Sequence, residues 1–369
     1  MGTRYLSVDF YRGLTIAFML VVNTPGTWAH VYSPLLHADW HGCTPTDLVF
    51  PSFLFIVGVS MHFSFSKYGQ ADRAFLLRKA LRRAALLFGL GLLLAWYPFW
   101  GKSLSELRVL GVLQRIGLCY GLASLLVLYL SPRGVFWISV AILLGYWGVL
   151  SWSVAPGADP FSLEDNLARR IDLAVLGAAH LWKGKGLPFD PEGLLSTLPA
   201  VVTVLMGWQS GRVMLRSGGE KVKTIKTLSL TGAALVALGW VWHSFFPINK
   251  SLWTSSFVLY TGGLSMVLLA LSVWVVDVLR WQRGLRFFLV FGANPLFAYL
   301  LSGLLVKTML SIRWMEGEEK MNAYRWLYQR VFVPIEPYKA GSLLFALFFL
   351  MVCWSVCWVL YRRGIYIKI

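Results

Sequence analysis

The sequence predicts an all-α membrane protein with several transmembrane helices. Of its 369 residues, 57% are hydrophobic and only 14% are charged, whereas a soluble domain carries about 25% charged residues. The apolar stretches are long and continuous, and they do not alternate in the way that the strands of a membrane barrel do. We therefore expect one polytopic helical domain, residues 1–369, embedded in a lipid bilayer.

Apolar stretches of about 20 residues are long enough to cross a bilayer as helices. Ten such stretches occur, at 11–29, 47–66, 84–100, 109–130, 134–154, 194–215, 227–246, 252–275, 287–307 and 340–361. Two segments between them, 155–193 and 308–339, are mixed in composition. We expect these two segments to be insertions outside the bilayer.

Positive charge is distributed unequally between the two sets of loops. With the N-terminus inside, the inner segments hold 20 basic and 4 acidic residues, and the outer segments hold 13 of each. The positive-inside rule then places both termini in the cytoplasm. The net charge of +17 thus reflects topology, and nucleic acid is not an expected partner. Some inner basic residues, Lys79, Arg82 and Arg83, are also candidates for binding an anionic cytosolic ligand.

The outer link between the first two spans carries a dense group of polar side chains. His37 has Asp39, His41 and Asp47 within ten residues, and Asn23 precedes the link. A histidine exchanges a proton near neutral pH, and a neighbouring carboxylate fixes its tautomer. The link is therefore the predicted site of chemistry. Zinc binding by the two histidines and an aspartate is less favoured, because no longer metal signature surrounds them.

Two polar side chains are predicted to lie at matching depths in the membrane. Asn23 is about six residues inside the outer end of span one, roughly 9 Å at 1.5 Å per residue, and Arg115 is similarly placed in span four. An arginine facing lipid there would be unfavourable by about 3 kcal/mol. Arg115 should therefore face the protein interior, either in a structural ion pair or in contact with substrate or cofactor.

Two further polar groups allow a structural and a functional interpretation. Asp190 and Glu192 flank a proline ahead of span six, which is typical of a helix start. Alternatively, one of them binds a cationic group of a substrate. Asn294 stands before Pro295 in span nine, so it either marks a proline kink or lines a cavity open to the cytosol.

Several short runs of residues carry a family resemblance across most of the chain. They are Ser7–Gly13, Val22–Asn23, His37–Gly42, Thr46–Pro51 with Phe55–Gly58, Gly111–Gly117, Asp190–Gly193 and Asn294. Together they resemble the transmembrane N-acetyltransferases typified by heparan-alpha-glucosaminide N-acetyltransferase and its bacterial relatives. Members of that family share a core of ten helices, which agrees with the ten spans counted above.

The resemblance implies a reaction and roles for residues. Acetyl-CoA is presented from the cytosol, and its acetyl group reaches the amine of a glucosamine on the far side. The family's active-site histidine corresponds to His37 and its partner asparagine to Asn23, with Asp47 close by. Cys43 stands where the lysosomal enzyme has an apolar residue, so this cysteine should not be essential.

The remaining candidates divide between donor and acceptor, and no metal is expected. Expected donor contacts are Arg115, Lys79, Arg82, Arg83 and Asn294. Expected acceptor contacts are Asp190, Glu192, Asp39 and Trp40, with selectivity in the loop 155–193. The expected location is a bacterial inner membrane with His37 toward the periplasm. The oligomeric state is open between a monomer and a homodimer.

The chemistry of acetyl transfer suits these residue types. An amine attacks only when deprotonated, so a base with the pKa range of His37 is needed. The thioester oxygen gains negative charge on attack, and Asn23 or Arg115 could donate to it. Direct transfer in a ternary complex is favoured over an acetyl-histidine intermediate. The main rival function is transport of an amino sugar or its acetylated form, and a structural scaffold is a third possibility.

Overall fold

The computed structural model describes residues 5–69, 72–100, 103–153 and 157–367. The α-helices in this part of the chain are α1 (Leu6–Asn23), α2 (Val49–Ser66), α3 (Arg73–Trp96), α4 (Val112–Tyr129), α5 (Pro132–Ser151), α6 (Leu167–Leu176), α7 (Thr197–Arg216), α8 (Lys221–Trp242), α9 (Ser255–Ser272), α10 (Leu285–Ala293), α11 (Pro295–Ser311), α12 (Ala323–Leu327) and α13 (Tyr338–Arg362). The predominantly helical architecture predicted from the sequence is confirmed. Residues 154–156, where predicted span five ends and the predicted insertion begins, lie outside the described residues.

A small antiparallel sheet departs from the all-α prediction. Strand β1 (Arg313–Glu316) pairs with strand β2 (Glu319–Asn322). Gly317, in the turn between them, has a φ of 63°, a conformation that glycine adopts without steric cost. The all-α prediction is therefore wrong for this part of the segment 308–339, which also contains α12.

The number of membrane crossings is supported only in part. Seven helical segments of the described chain are long and apolar enough to cross a membrane, or eight if α10 and α11, bent by 84°, form one broken span. Helices α3 and α7 are not among these candidate spans, because their composition is too polar. Basic residues occupy the first half of α3, and α7 contains several polar residues. Nine of the ten predicted spans each overlap one α-helix, and span nine overlaps the bent pair α10 and α11. Ten crossings stay a prediction.

The first helix is displaced from its predicted bounds. It begins at Leu6 and ends at Asn23, whereas the apolar pattern predicted a span over 11–29. Pro25 follows the C-cap residue Thr24 and cannot continue the hydrogen-bond ladder of the helix. Asn23 is therefore the last residue of α1 and is exposed, so the prediction that it lies six residues inside the span is wrong.

Helices α2 and α7 approach each other closely through glycines. A Cβ atom on Gly58 would collide with the carbonyl oxygen of Val204, and one on Gly207 with that of Phe55. Small residues at such contacts allow helix backbones to pack tightly in a membrane. Asp47 precedes the first turn of α2, and Glu192 precedes the first turn of α7. The close packing of α2 on α7 therefore fixes the position of the Asp47 segment relative to the Glu192 segment.

The long loops meet at one end of the helix bundle. Trp40 Nε1 donates to the Phe161 carbonyl at 2.7 Å, and Gly42 N donates to the Ile248 carbonyl at 2.7 Å. The Tyr324 hydroxyl donates to the Pro25 carbonyl at 2.7 Å. The segments after α1, α5, α8 and α11 therefore form one continuous layer. We call it the loop layer, and the short connections lie at the opposite end.

Candidate active site

His37 and Asp47 form a hydrogen-bonded pair in the loop layer. His37 Nδ1 lies 2.7 Å from Asp47 Oδ1. Oδ2 of Asp47 accepts from Ala38 N, Thr44 N and Thr44 Oγ1, each at 3.0 Å. The Asp47 side chain is 1% exposed and that of His37 is 43% exposed. A fully bonded, buried carboxylate thus holds an accessible imidazole.

This geometry follows from a local sequence motif. Thr44 caps a 3₁₀-helix, Pro45–Leu48, and shares a capping box with Asp47. The Asp47 carboxylate is therefore fixed before α2 begins, and it fixes His37 in turn. When Nδ1 of His37 donates to Asp47, Nε2 carries the free lone pair. His37 is consequently arranged as a proton acceptor through Nε2.

Lys250 completes this cluster and was missed by the sequence analysis. Its Nζ atom lies 3.0 Å from His37 Nδ1, 3.3 Å from His37 Nε2 and 3.5 Å from Asp47 Oδ1. Burial lowers the pKa of Lys250 below its ordinary value, and the negative charges of Asp47 and Glu192 partly offset this effect. The sequence did hold a signal, because Lys250 is the only Asp, Glu, Lys or Arg between Lys226 and Asp277.

The segment around Lys250 is held against the His37 link. Asn249 forms a parallel bridge with Gly42, and its Nδ2 lies 3.3 Å from His41 Nδ1. The Asn249 Oδ1 atom accepts from Leu252 N at 2.8 Å, which shapes the turn. Asn249 is fully buried. Lys250 is therefore positioned by a rigid turn rather than by a free loop.

A second charged cluster joins Asp190 and Glu192 to Arg108, another residue that the sequence analysis missed. Arg108 donates to both carboxylate oxygens of Asp190, at 2.9 and 2.7 Å, and to Glu192 Oε2 at 2.6 Å. The pKa of Glu192 is below its ordinary value. Burial alone would raise this pKa, but the positive charges of Arg108 and Arg115 lower it by more. Both predicted acceptor carboxylates already have a cationic partner.

The helix start predicted at Asp190 and Glu192 is wrong. Helix α7 begins at Thr197, several residues later. Arg115 explains the delay, because its Nη2 atom donates to the carbonyls of Pro191 and Gly193 at 3.1 and 3.0 Å. These carbonyls bind a side chain and are not part of a helical ladder.

Arg115 faces the protein interior, as predicted, and is fully buried. Its remaining contacts are Ser196, through Oγ at 2.6 Å and the carbonyl at 3.4 Å, and the face of Trp253 at 5.4 Å. Its hydrogen-bond partners are uncharged, so among the described residues the predicted structural ion pair is not formed. No hydrogen bond joins Arg115 to Asn23 in the described part of the chain.

Trp40 connects the two charged clusters. Its indole packs edge-on against Phe189 with ring centroids 5.5 Å apart, and Phe189 directly precedes Asp190. The side chain of the neighbouring Asp39 is exposed, and its backbone carbonyl accepts from Lys185. The structure therefore brings His37, Trp40 and the carboxylate of Glu192 into the same part of the loop layer.

The three predicted donor residues of α3 lie at the other end of the bundle. Lys79 of α3 contacts Tyr68, a residue that follows the end of α2. Arg82, also on α3, is exposed. Arg83 packs over the Tyr120 ring at 4.8 Å. Since Asp47 precedes the start of α2, an 18-residue helix, the two ends are about 27 Å apart along it.

Asn294 also lies away from His37. It separates α10 from α11, so the proline kink predicted there is confirmed as a sharp break. Its Nδ2 donates to the Ile365 carbonyl at 3.0 Å, and its Oδ1 accepts from Ile367 N at 2.7 Å. Asn294 is buried and binds the segment that follows α13.

Cys43 is half-buried beside the cluster, with its sulfur 3.6 Å from the Thr44 carbonyl. Burial raises the pKa of its thiol to about 12, so the reactive thiolate is scarce at neutral pH. This agrees with the expectation that Cys43 is not essential. Among the residues that the structure describes, no group of three or more His, Cys, Asp or Glu side chains could hold a metal ion.

Fold and site define a polytopic helical membrane protein with a histidine–aspartate–lysine cluster at one end of its bundle. The family model described as heparan-alpha-glucosaminide N-acetyltransferase, catalytic, matches residues 4–244. The chain belongs to this family.

Two curated relatives match over most of the chain. Heparan-alpha-glucosaminide N-acetyltransferase of Homo sapiens is 29% identical over 350 residues, covering 80% of this chain and 52% of the relative. The protein of the same name from Mus musculus is 28% identical over 354 residues, covering 81% and 53%. The chain thus spans about half the length of these relatives.

Proposed function

We propose that this protein transfers an acetyl group from cytosolic acetyl-CoA to the amine of a glucosamine-type sugar on the outer side of a membrane. Membership of the family supports the reaction class. The observation that carries the proposal is the pair formed by buried Asp47 and half-exposed His37. Such a pair supplies the proton acceptor that an attacking amine requires.

In the proposed mechanism, Asp47 holds His37 with Nδ1 protonated, and Nε2 removes a proton from the acceptor amine. The amine nitrogen then attacks the thioester carbonyl in a ternary complex. Positioning the two substrates together lowers the entropic part of the barrier. With Nδ1 occupied by Asp47, Nε2 is the ring atom available for the proton, and direct transfer needs no acetyl-histidine.

Acceptor binding is proposed at the surface between the two charged clusters. The exposed Asp39 carboxylate can bind an ammonium or hydroxyl group, and the Trp40 ring can stack on a sugar face. Asp190 and Glu192 are engaged by Arg108, so we propose that they shape this surface and contact the sugar through their remaining oxygen lone pairs. The segment 155–193 would set selectivity.

Donor binding is proposed at the opposite end, which the charge distribution assigns to the cytosol. Lys79, Arg82 and Arg83 of α3 supply positive charge for the phosphates of CoA. Arg115 and Asn294 were also predicted to contact the donor. Because both are buried and bound to backbone groups, we propose that they shape the path between the two ends.

The orientation follows from the loops. The loop layer contains most of the outer segments, which together carry as many acidic as basic residues, and the short connections carry the excess positive charge. By the positive-inside rule, the loop layer with His37 is outside and both termini are cytoplasmic. For a bacterial protein we propose that His37 faces the periplasm and that the protein lies in the inner membrane.

Acetyl transfer by purified protein tests the proposal against sugar transport. Detergent-solubilised protein is incubated with acetyl-CoA and glucosamine, and free thiol and N-acetylglucosamine are measured. We expect both products in equal amounts, with none from His37→Ala and normal amounts from the control His30→Ala. Unchanged acetyl-CoA with the folded wild-type protein would exclude the transferase and favour a transporter.

A further inference from the structure

Lys250 occupies a position that structural needs alone do not explain. Its Nζ atom is close to both ring nitrogens of His37 and to Asp47 Oδ1, and the side chain is 20% exposed. Removing an ammonium group from water is costly unless it is paired. Asp47 is already satisfied by His37, Ala38 and Thr44, so it does not require a further partner.

The distances define how the ammonium group meets the imidazole. An atom that is 3.0 Å from Nδ1 and 3.3 Å from Nε2 cannot lie along the in-plane lone pair of either nitrogen. Lys250 Nζ therefore lies over the ring face. The in-plane lone pair of Nε2 stays available for a proton, and a positive charge stands next to the place where the proton is removed.

The other expected donors to a developing oxyanion are less suitable. Arg115 is fully buried and bound to Pro191, Gly193 and Ser196. Asn23 is exposed at the end of α1 and carries no charge. In the described part of the chain, Lys250 is the cation in contact with His37.

We propose that Lys250 is a catalytic residue whose ammonium group stabilises the negative charge on the carbonyl oxygen of the thioester during acetyl transfer. This rests on the proposed function. A preorganised cation is effective because it needs no reorganisation as the charge develops. Nothing in the match over residues 4–244 covers Lys250.

The step is balanced as follows. The amine nitrogen forms a bond to the carbonyl carbon, the π electrons of the carbonyl move to its oxygen, and one amine proton moves to His37 Nε2. Lys250 pairs with the oxyanion and transfers no proton. The oxygen electrons then reform the carbonyl, the carbon–sulfur bond breaks, and the sulfur leaves with its electron pair and takes the proton from His37.

Substitution of Lys250 tests the charge. Lys250→Met should lower kcat about 100-fold or more, as loss of one oxyanion donor does, with KM for both substrates changed little. Lys250→Arg should recover at least tenfold of this loss. The matched control is Lys320→Met, an exposed lysine of β2 in the same loop layer, which should keep wild-type kcat. Thermal unfolding of each variant is measured in parallel.

The pH profile provides a readout that a structural lysine would not change. Burial lowers the pKa of Lys250, and the negative charges of Asp47 and Glu192 partly oppose this effect. His37 faces Lys250 directly, and the neutral thiol of Cys43 lies nearby. The ammonium form is lost as pH rises through this lowered pKa. Wild-type kcat should therefore fall at alkaline pH, and this fall should be absent in Lys250→Arg, because a guanidinium stays charged.

The outcomes separate this proposal from the one on which it rests. Wild-type protein without acetyl transfer would overturn both. Active wild-type protein with near-normal kcat in folded Lys250→Met would overturn only the role of Lys250. If Lys250→Met does not fold, the pH profile of Lys250→Arg provides the test. A fall of kcat at alkaline pH in Lys250→Arg that is identical to that of the wild type would contradict the proposal.

Discussion

His37 Nδ1 and Asp47 Oδ1 lie 2.7 Å apart, with the imidazole half-exposed and the carboxylate buried. The second carboxylate oxygen is held by the backbone of Ala38 and Thr44. Asp47 is therefore fixed independently of His37 and can impose one orientation and one tautomer on the imidazole.

Replacing the Asp47 carboxylate by an amide should misdirect His37. In Asp47→Asn, the new amide group can donate to Nδ1 of His37. This stabilises the tautomer of His37 that has its proton on Nε2, and a protonated Nε2 cannot act as a base. We expect kcat to fall about 100-fold or more, measured by release of CoA thiol. Glu318→Gln, at an exposed position in the turn between β1 and β2, should behave like the wild type. Equal activity in both variants would contradict the role of Asp47.

Removing Arg108 should mainly destabilise the protein. Arg108→Met leaves the buried carboxylates of Asp190 and Glu192 without their partner, which typically costs about 3 kcal/mol of folding free energy. The triple variant Arg108→Met, Asp190→Asn, Glu192→Gln should recover part of the thermal stability. If Arg108→Met instead unfolds at the wild-type temperature and loses only acceptor affinity, the cluster is a binding site and not a structural one.

Donor affinity should depend on charge at the end opposite to His37. Lys79→Gln, Arg82→Gln and Arg83→Gln together should raise the Kd for CoA and flatten its salt dependence, since screening acts over about 8 Å at physiological ionic strength. Acceptor affinity should respond much less to salt. Both constants are measured by calorimetry in detergent across a salt series.

A second basic group provides the comparison for the donor site. Lys221, Lys223 and Lys226 line a cavity of about 730 Å³ at the same end of the bundle. Neutralising these three lysines should affect the Kd for CoA less than the triple change on α3. The opposite ranking would assign the phosphates of CoA to this cavity and remove the α3 residues from donor binding.

Sidedness can be checked with a thiol reagent that does not cross membranes. In a Cys43→Ala background, Asp39→Cys should be labelled only from the outside of intact cells, and Gly219→Cys only after permeabilisation. This follows from the excess positive charge of the short connections. Labelling of the two positions in the reverse pattern would invert the topology and the direction of transfer.

The sequence predicted the features that depend on composition and on short motifs. The helices follow from continuous apolar stretches, and the family resemblance placed Asp47 close to His37. The capping box that fixes this pair was identified only in the structure. The predicted bounds of α1 were wrong because the span was extended to Trp28 and Ala29, whereas the helix ends before Pro25. The β1–β2 hairpin was missed because its strands are only four residues long.

Contacts between distant segments could not be predicted from the sequence. Arg108 lies 82 positions from Asp190, and Lys250 lies 213 positions from His37. Only the packing of the loop layer brings them together, through bridges such as that between Gly42 and Asn249. Arg115 was correctly predicted to be buried, but its partners are backbone carbonyls, which no pattern of side chains reveals.

Transfer across a sealed membrane tests the central claim most directly. Proteoliposomes of uniform orientation carry radiolabelled acetyl-CoA on the side of Lys79 and Arg82, and glucosamine on the side of His37. We predict labelled N-acetylglucosamine on the glucosamine side with the wild-type protein and none with His37→Ala. Glucosamine that crosses the membrane unmodified while acetyl-CoA remains intact would contradict the account.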